Sequence, residues 1–187
     1  MPPEETDRRS ARGKNAAAKR LAKSPRGHPS PSMSYFEDRG TVLDAPLEIV
    51  WDFMQRDEEF HPKAHAPTLR NFKARALSEV TSLIRYERQT SGGRWTKFVS
   101  RLTEIRPAVR IKEDLEGPYA GSVTVHLYRP RGRETSVDVL CYMRSSEFSP
   151  KEIKREWLRI FARAGAEDAP WLRRFARKHP AGLGPRS

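Results

Sequence analysis

The region from residue 71 to residue 144 alternates apolar and polar residues in short segments, and this constrains the fold more than any other feature. Phe72, Ala74 and Ala76 alternate with basic residues, which is typical of a half-buried strand. Further segments of the same kind are 81–89, 94–105, 109–115, 122–128 and 135–144. Because consecutive strands joined by short turns pair antiparallel, the region predicts an antiparallel sheet.

A strand and two short helices are predicted before this sheet. Residues 35–43 form the strand, and Asp44 is a candidate N-cap for the helix that follows, with Pro46 in its first turn. The apolar stripe of this helix is Ile49, Val50, Phe53 and Met54. A second short helix is expected over residues 57–61, where Pro62 restricts its continuation.

An amphipathic helix is predicted after the sheet. Ser149, Pro150 and Glu152 have the spacing of a capping box with proline at the first helical position. Its apolar stripe is Ile153, Trp157, Ile160 and Phe161. We expect Gly165 to end or bend this helix and Asp168 to cap a second segment up to residue 178.

The two ends of the chain carry most of the net charge of +12. Residues 1–34 contain eight Lys/Arg and three acidic residues, and residues 149–187 contain ten and four. Residues 1–34 have too few apolar side chains to offset their ordering entropy, so a disordered basic tail is predicted, with Met33 as an alternative start. Residues 179–187 are rich in Gly and Pro, and a frayed terminus is expected there.

Composition narrows the function classes. A chain of 187 residues with one cysteine has no internal disulfide, and its N-terminus has no apolar signal segment. No apolar run approaches the roughly 20 residues of a membrane-spanning helix. With a single cysteine, a reducing, cytoplasmic setting is expected. The sequence has no Gly-rich phosphate loop and no serine nucleophile motif, and it predicts no cofactor.

The order of these elements resembles the START-like SRPBCC superfamily, with its polyketide cyclase/dehydrase-like and ubiquinone-binding branches. The resemblance rests on residues 42–53 (VLDAPLEIVWDF), residues 100–107 (SRLTEIRP) and residues 121–143. It covers residues 35–178 and implies an α+β helix-grip fold. In that fold a curved antiparallel sheet of about seven strands surrounds a long C-terminal helix, with two short helices after strand 1. The resemblance also implies a pocket for apolar or amphipathic small molecules between the sheet and this helix.

Glu113 is the candidate acid/base residue. It lies two residues from Ile111 and from Leu115 and so shares one strand face with them and with Val109, and it is expected to point inward with them. A carboxylate in that position is desolvated, its pKa is raised, and it can exchange protons or orient a polar ligand group. The alternative is that a bulge turns Glu113 to solvent or that an arginine pairs with it.

Ten residues are predicted to contact a ligand in such a pocket. They are Phe53, His61, Tyr86, Phe98, Glu113, Tyr119, Val139, Met143, Trp157 and Phe161. A core role is the simpler explanation of the aromatic residues Trp157 and Phe161, although a helix that closes a cavity also supplies side chains of this kind to its roof.

The remaining His and Cys residues carry weaker predictions. His61 and His65 have the spacing of two ligands on one helix face, but Pro62 intervenes and no third ligand is evident, so no metal is predicted. His126 alternates with the apolar residues of its strand and is expected to be exposed. Cys141 has the pattern of a buried, unreactive thiol.

Three hypotheses for function follow. The first is a non-catalytic protein that binds or transfers a hydrophobic or amphipathic small molecule such as a lipid, a quinone or a polyketide. The second is a cyclase or dehydratase that uses Glu113 or a pocket Tyr or His. The third is weak contact with anionic membranes or RNA through the basic ends, including Arg173, Arg174, Arg177 and Lys178. A solvated basic face on a packed helix is the simpler explanation of these last residues.

Overall fold

The computed structural model describes residues 30–90, 93–106 and 108–180, without the side chain of Asp57. In chain order the elements are β1 (Ser32–Leu43), α1 (Leu47–Met54), α2 (Asp57–Ala64), β2 (Leu69–Ala76), β3 (Thr81–Gln89), β4 (Trp95–Ile105), β5 (Val109–Glu116), β6 (Val123–Arg131), β7 (Glu134–Ser145) and α3 (Pro150–Lys178). Most of the predicted tail 1–34 and of the predicted frayed end 179–187 lies outside the described residues. Strand β1 begins at Ser32, so the last three residues of the predicted tail belong to the sheet.

The seven strands form one antiparallel sheet in the order β1-β7-β6-β5-β4-β3-β2. Every neighbouring pair except β1 and β7 is consecutive in the chain, and α1 and α2 form the connection from β1 to β2. The register shifts between Asp38 and Thr41 in β1 and between Val99 and Ser100 in β4. Such bulges bend a strand and increase its twist, and the sheet is curved. The predicted α+β architecture, with two short helices after the first strand, is confirmed.

Helix α3 closes the concave side of the sheet. Ser149 caps it as predicted: its side chain accepts a hydrogen bond from the backbone N–H of Glu152, whose carboxylate accepts one from the backbone N–H of Ser149 at 2.9 Å. The predicted break at Gly165 is wrong, because α3 continues to Lys178. Glycine inside a helix costs only about 1 kcal/mol relative to alanine, and apolar side chains on both sides of Gly165 are buried in the same core. Asp168 therefore lies within α3.

Helix α1 begins later than predicted. Its N-cap is Pro46 and no side chain caps it, so the assignment of Asp44 as N-cap is wrong. A residue before proline is restricted to extended conformations, which keeps Ala45 out of the helix. Thr135 Oγ1 donates to the carbonyl of Ala45 at 2.8 Å and fixes the chain at this point. The predicted apolar stripe of α1 packs on the core.

The strands of the sheet differ in whether their apolar or their polar residues face α3. In β7 the alternation of the sequence places Val137, Val139, Cys141 and Met143 on one face, and all four are buried. In β5 and β6 the prediction is wrong, because the apolar residues face outward and polar residues face α3. Val109 pairs with Leu127 and Ile111 with Val125 on the outer face.

Among the helices of the described residues, none is long and apolar enough to cross a membrane.

Candidate ligand-binding cavity

A cavity of about 200 Å³ lies between the concave face of the sheet and α3. A single water needs about 10–15 Å³ of such space, so the cavity has room for an organic molecule. Its apolar wall includes Leu43, Phe53, Ile84, Val137, Val139 and Phe161. Most of this wall comes from β1, β3 and β7 on one side and from α1 and α3 on the other.

The predicted contact residues divide into three groups. Those that line the cavity are Phe53, His61, Tyr86, Val139, Trp157 and Phe161. Phe98, Tyr119 and Met143 are buried outside its lining. Glu113, the tenth residue, does not line it.

Phe98 and Tyr119 support the wall from behind. The ring of Phe98 stacks on Tyr86 with a centroid distance of 5.2 Å and an interplanar angle of 5°. The ring of Tyr119 meets Trp157 edge to face at 5.5 Å. Because these contacts fix Tyr86 and Trp157, the two residues that reach the cavity have little freedom to change rotamer.

Glu113 lies on the outer face of β5, and the expectation that it points inward is wrong. Its carboxylate accepts a hydrogen bond from Arg101 Nε of the neighbouring strand. That bond lowers the pKa of Glu113, against a smaller opposing effect of burial. The alternation that placed Glu113 beside Ile111 is correct, but this face of β5 is the outer one. Glu113 is therefore an ionised structural partner of Arg101 and not an acid/base group of the cavity.

Lys112 occupies the inward position beside Glu113. Its Nζ lies 2.6 Å from Asp114 Oδ1, and that same oxygen accepts a hydrogen bond from Ser100 at 2.7 Å. Burial lowers the pKa of Lys112, but the charge of Asp114 and the contact with Tyr86 outweigh it, so the pKa is raised. Lys112 is thus a buried cation whose charge is fixed within the wall of the cavity.

Two arginines also reach the cavity. Arg110 Nε lies 3.5 Å from Glu104 Oε1, which gives this guanidinium a carboxylate partner. Arg88 lies two positions after Tyr86 on β3, and its Cζ is 6.0 Å from the Tyr86 ring centroid. The Nε of Arg88 is buried without a hydrogen-bond partner.

Two histidines in the cavity wall are neutral. His126 is inward-facing, and the expectation that it is exposed is wrong. Burial, followed by the charges of Arg110 and Lys112, lowers the pKa of His126 to about 3. Burial also holds the pKa of His61 well below its usual range, with a further effect from His65. Both side chains can therefore exchange hydrogen bonds with a ligand without adding charge.

His65 joins the end of α2 to α3. Its Nδ1 lies 2.6 Å from Glu167 Oε2, and its Nε2 lies 3.1 Å from Asp168 Oδ1, the second being an ion pair without hydrogen-bond alignment. Burial lowers the pKa of His65, but the two carboxylates outweigh burial and raise it. Asp168 therefore does not cap a helix as predicted, and its carboxylate is the partner of the buried His65 imidazole.

The structure also gives the surroundings of Cys141 and of the His61–His65 pair. Cys141 is completely buried, as predicted, and burial raises the pKa of its thiol to about 12. The rings of His61 and His65 are 4.3 Å apart. Within the part of the chain that the structure describes, no group of three His, Cys, Asp or Glu side chains is placed to hold a metal ion.

The basic C-terminal part of α3 packs its apolar side chains inward. Leu172 and Phe175 are buried, and Trp171 lies 6.3 Å from Phe60 of α2. Arg174 lies over the ring of Trp171 at 5.0 Å. Side chains already packed in the core are not available for insertion into a membrane, which favours the interpretation of this segment as a packed helix end with a solvated basic face.

Sequence reasoning missed the charged residues of the cavity. Arg88, Arg110, Lys112, Asp38 and Asp168 line it. A signal was present for Arg88, because Tyr86 was predicted to face inward and residues two apart on a strand share a face. No such signal existed for Arg110 and Lys112, since the apolar residues of β5 indicated the opposite face.

Comparison with solved structures identifies the fold. The Zhui aromatase/cyclase from a Streptomyces species matches at a TM-score of 0.61 and 14% identity, covering 81% of this chain and 99% of that one. A START superfamily protein from Mycobacterium smegmatis matches at 0.61 and 11% identity, covering 76% and 97%. The lipid transfer and protein localization domain of human StarD13 matches at 0.54 and 14% identity, covering 73% and 75%.

These similarities show the helix-grip fold of START and SRPBCC proteins. No protein-family profile matches the sequence, and no curated protein matches it. The fold that the resemblance implied is therefore confirmed, while identities of this size carry the architecture and not the activity.

Proposed function

We propose that the protein binds a hydrophobic or amphipathic small molecule in the cavity beneath α3. The observation that supports this most is the cavity itself, because a single-domain core of ordinary packing leaves few voids larger than a water molecule. Its wall combines aromatic and aliphatic side chains with a few convergent polar groups, which is the usual make-up of a ligand site. Structural neighbours named as aromatase/cyclases and as a lipid transfer domain have the same fold.

Apolar burial supplies the affinity in this proposal. Removal of apolar surface from water contributes about 25 cal/mol per Å², so a ligand that buries 150 Å² of apolar surface gains about 4 kcal/mol before its ordering costs are subtracted. Tyr86, His61 and Trp157 are the polar wall residues that were predicted from the sequence and that lie where they can orient such a ligand.

The test uses a pair of substitutions on α3. Ala164 lines the cavity, whereas Ala162 on the same helix is exposed. Ala164→Phe fills the cavity and is expected to weaken binding of the neutral fluorescent probe N-phenyl-1-naphthylamine at least tenfold, and Ala162→Phe is expected to leave it unchanged. Native mass spectrometry of the purified protein should show a small-molecule adduct that Ala164→Phe lacks. Equal probe binding by both variants, at unchanged circular dichroism, would refute the proposal.

A second candidate is acid–base catalysis on the bound molecule, of the cyclase or dehydratase type. It is favoured by His126, a neutral imidazole inside the cavity, and not by Glu113, which lies on the outer face. In this case the molecule extracted from His126→Gln should differ from that extracted from the wild type. For a dehydratase, the molecule from His126→Gln should be heavier by one water. Identical molecules extracted from both proteins would contradict catalysis and support binding without a reaction.

A further inference from the structure

The polar groups of the cavity wall are unevenly charged. Three Lys and Arg side chains line it, those of Arg88, Arg110 and Lys112, against two carboxylates, Asp38 and Asp168. Asp168 forms an ion pair with His65. A charge that is removed from water without a partner raises the free energy of the folded protein. Cations in such a wall therefore need either internal carboxylates or a ligand of opposite charge.

Two of the three cations have internal carboxylate partners. Lys112 pairs with Asp114 at 2.6 Å and Arg110 with Glu104 at 3.5 Å. Among the described residues, no carboxylate lies within ion-pair distance of Arg88. Arg88 is only partly accessible, and its Nε is buried without a hydrogen-bond partner. The guanidinium is therefore left with an unused donor at the edge of the cavity.

A second donor without a partner lies on the opposite wall. Trp157 of α3 is 5% exposed, and its Nε1 is buried with no hydrogen-bond partner. Lys112 Nζ lies 5.3 Å from the Trp157 ring and 5.8 Å from the Tyr86 ring. Arg88 approaches the same Tyr86 ring at 6.0 Å. Tyr86 is thus the common neighbour of Arg88 and Lys112, and Lys112 joins this group to the indole of Trp157.

We propose that the ligand of this cavity carries one anionic group, a carboxylate, that lies near Arg88 and Lys112. This carboxylate accepts a hydrogen bond from the indole N–H of Trp157. The apolar part of the ligand lies along Phe53, Val139 and Phe161. A carboxylate has four acceptor sites and no donor, which complements a set of groups that can only donate. Charge-assisted hydrogen bonds of this kind are about twice as strong as neutral ones. This inference rests on the proposed function and adds the chemical class of the ligand. An aliphatic or an aromatic acid supplies the same group.

The test compares acids with the alcohols of the same carbon skeleton. Isothermal titration calorimetry at pH 7.5 with octanoate and 1-octanol, and with 2-naphthoate and 2-naphthalenemethanol, measures the preference for a carboxylate in each series. We expect each acid to bind at least tenfold more tightly than its alcohol. The series with the higher affinity then shows whether the acid is aliphatic or aromatic.

The control distinguishes binding at Arg88 from the general attraction of anions to a chain of net charge +12. Arg85 lies on the same strand as Arg88 but is exposed, so Arg85→Gln and Arg88→Gln lower the net charge equally. Arg88→Gln is expected to reduce the acid preference at least fivefold, Arg88→Lys to retain part of it, and Arg85→Gln to leave it unchanged. Lys112→Met serves as a second variant if Arg88→Gln fails to fold.

The outcomes separate this inference from the function on which it rests. Tight binding of the alcohols without a preference for the acids would overturn the inference and leave the proposed function intact. An equal loss of preference in Arg85→Gln and Arg88→Gln would also overturn it, because the selectivity would then belong to the surface charge. Failure of all four compounds and of the neutral naphthylamine probe to bind would refute the proposed function itself.

Discussion

The contact of His65 with two carboxylates of α3 predicts a pH-dependent stability. His65 is 1% exposed, and Glu167 and Asp168 each retain 19% of their side-chain exposure. A neutral imidazole carries no charge, so only the protonated ring forms ion pairs with both carboxylates at once. The pair of acidic residues therefore stabilises the imidazolium form.

The substitution Asp168→Asn removes one of these carboxylates while preserving the size of the side chain. Breaking a fully buried pair costs about 3–5 kcal/mol, and the partial exposure of Asp168 lowers this to about 2–3 kcal/mol. The pKa of His65 is raised above 6.5, so its stabilising contribution is complete below pH 6.5 and is lost as the pH rises through the folded-state pKa. The pKa of Glu167 is lowered, so its contribution is lost only as the pH falls below 4.5.

The free energy of unfolding should therefore differ most between wild type and Asp168→Asn near pH 6 and least near pH 9. Urea unfolding followed by tryptophan fluorescence at both pH values measures this difference. Glu156→Gln is the control, because Glu156 pairs on the same helix with Arg159, which is 52% exposed, and such pairs contribute at most about 1 kcal/mol. A loss that is the same at pH 6 and pH 9 would show that His65 is not held as an imidazolium, and the reasoning would fail.

Two further predictions concern the scaffold. Gly117 has φ +109°, and an added Cβ would meet the carbonyl oxygen of Lys97 at 2.8 Å, so Gly117→Ala should lower the free energy of unfolding by at least about 2 kcal/mol. Gly132→Ala, at φ +65° with open space around it, should cost only about 1 kcal/mol, and equal losses in urea unfolding would contradict the steric argument. Cys141, with its thiol pKa raised to about 12 by burial, should resist iodoacetamide at pH 8.5 in the native protein and react in urea; rapid native alkylation would show that the site opens.

The order of the helices and strands could be predicted from the sequence because its signals are local and agree with one another, and the helix-grip arrangement was implied by the resemblance to START-like proteins. The alternation in β3 and β7, the capping box at Ser149 and the apolar stripe of α1 each identify an element and its buried side. Antiparallel order then follows from the short connections between strands. The errors at Asp44 and Gly165 concern where a helix begins or ends, which tertiary packing and the proline at position 46 decide.

The cavity was predicted less well, for a physical reason. A strand is normally assigned its inner face by its apolar residues, and in β5 these are Val109 and Ile111. The inner face of this strand instead borders a space lined by charged groups, and its apolar residues pair across the outer face with β6. Glu113 was therefore assigned to the wrong side, and Lys112, the actual inward residue, was not considered.

The outer apolar pairs of β5 and β6 have a consequence for how this protein can change. Ile111 with Val125 and Val109 with Leu127 hold the two strands together from the side that faces away from α3. The pairing of the two strands and, in the proposed function, ligand recognition thus depend on different side chains of β5 and β6. The inward positions 124 and 126 can be exchanged to suit another ligand while the pairing that holds β5 and β6 in register is preserved, whereas Arg110 and Lys112 also pair with Glu104 and Asp114. At positions 124 and 126, selectivity can therefore evolve without loss of the scaffold.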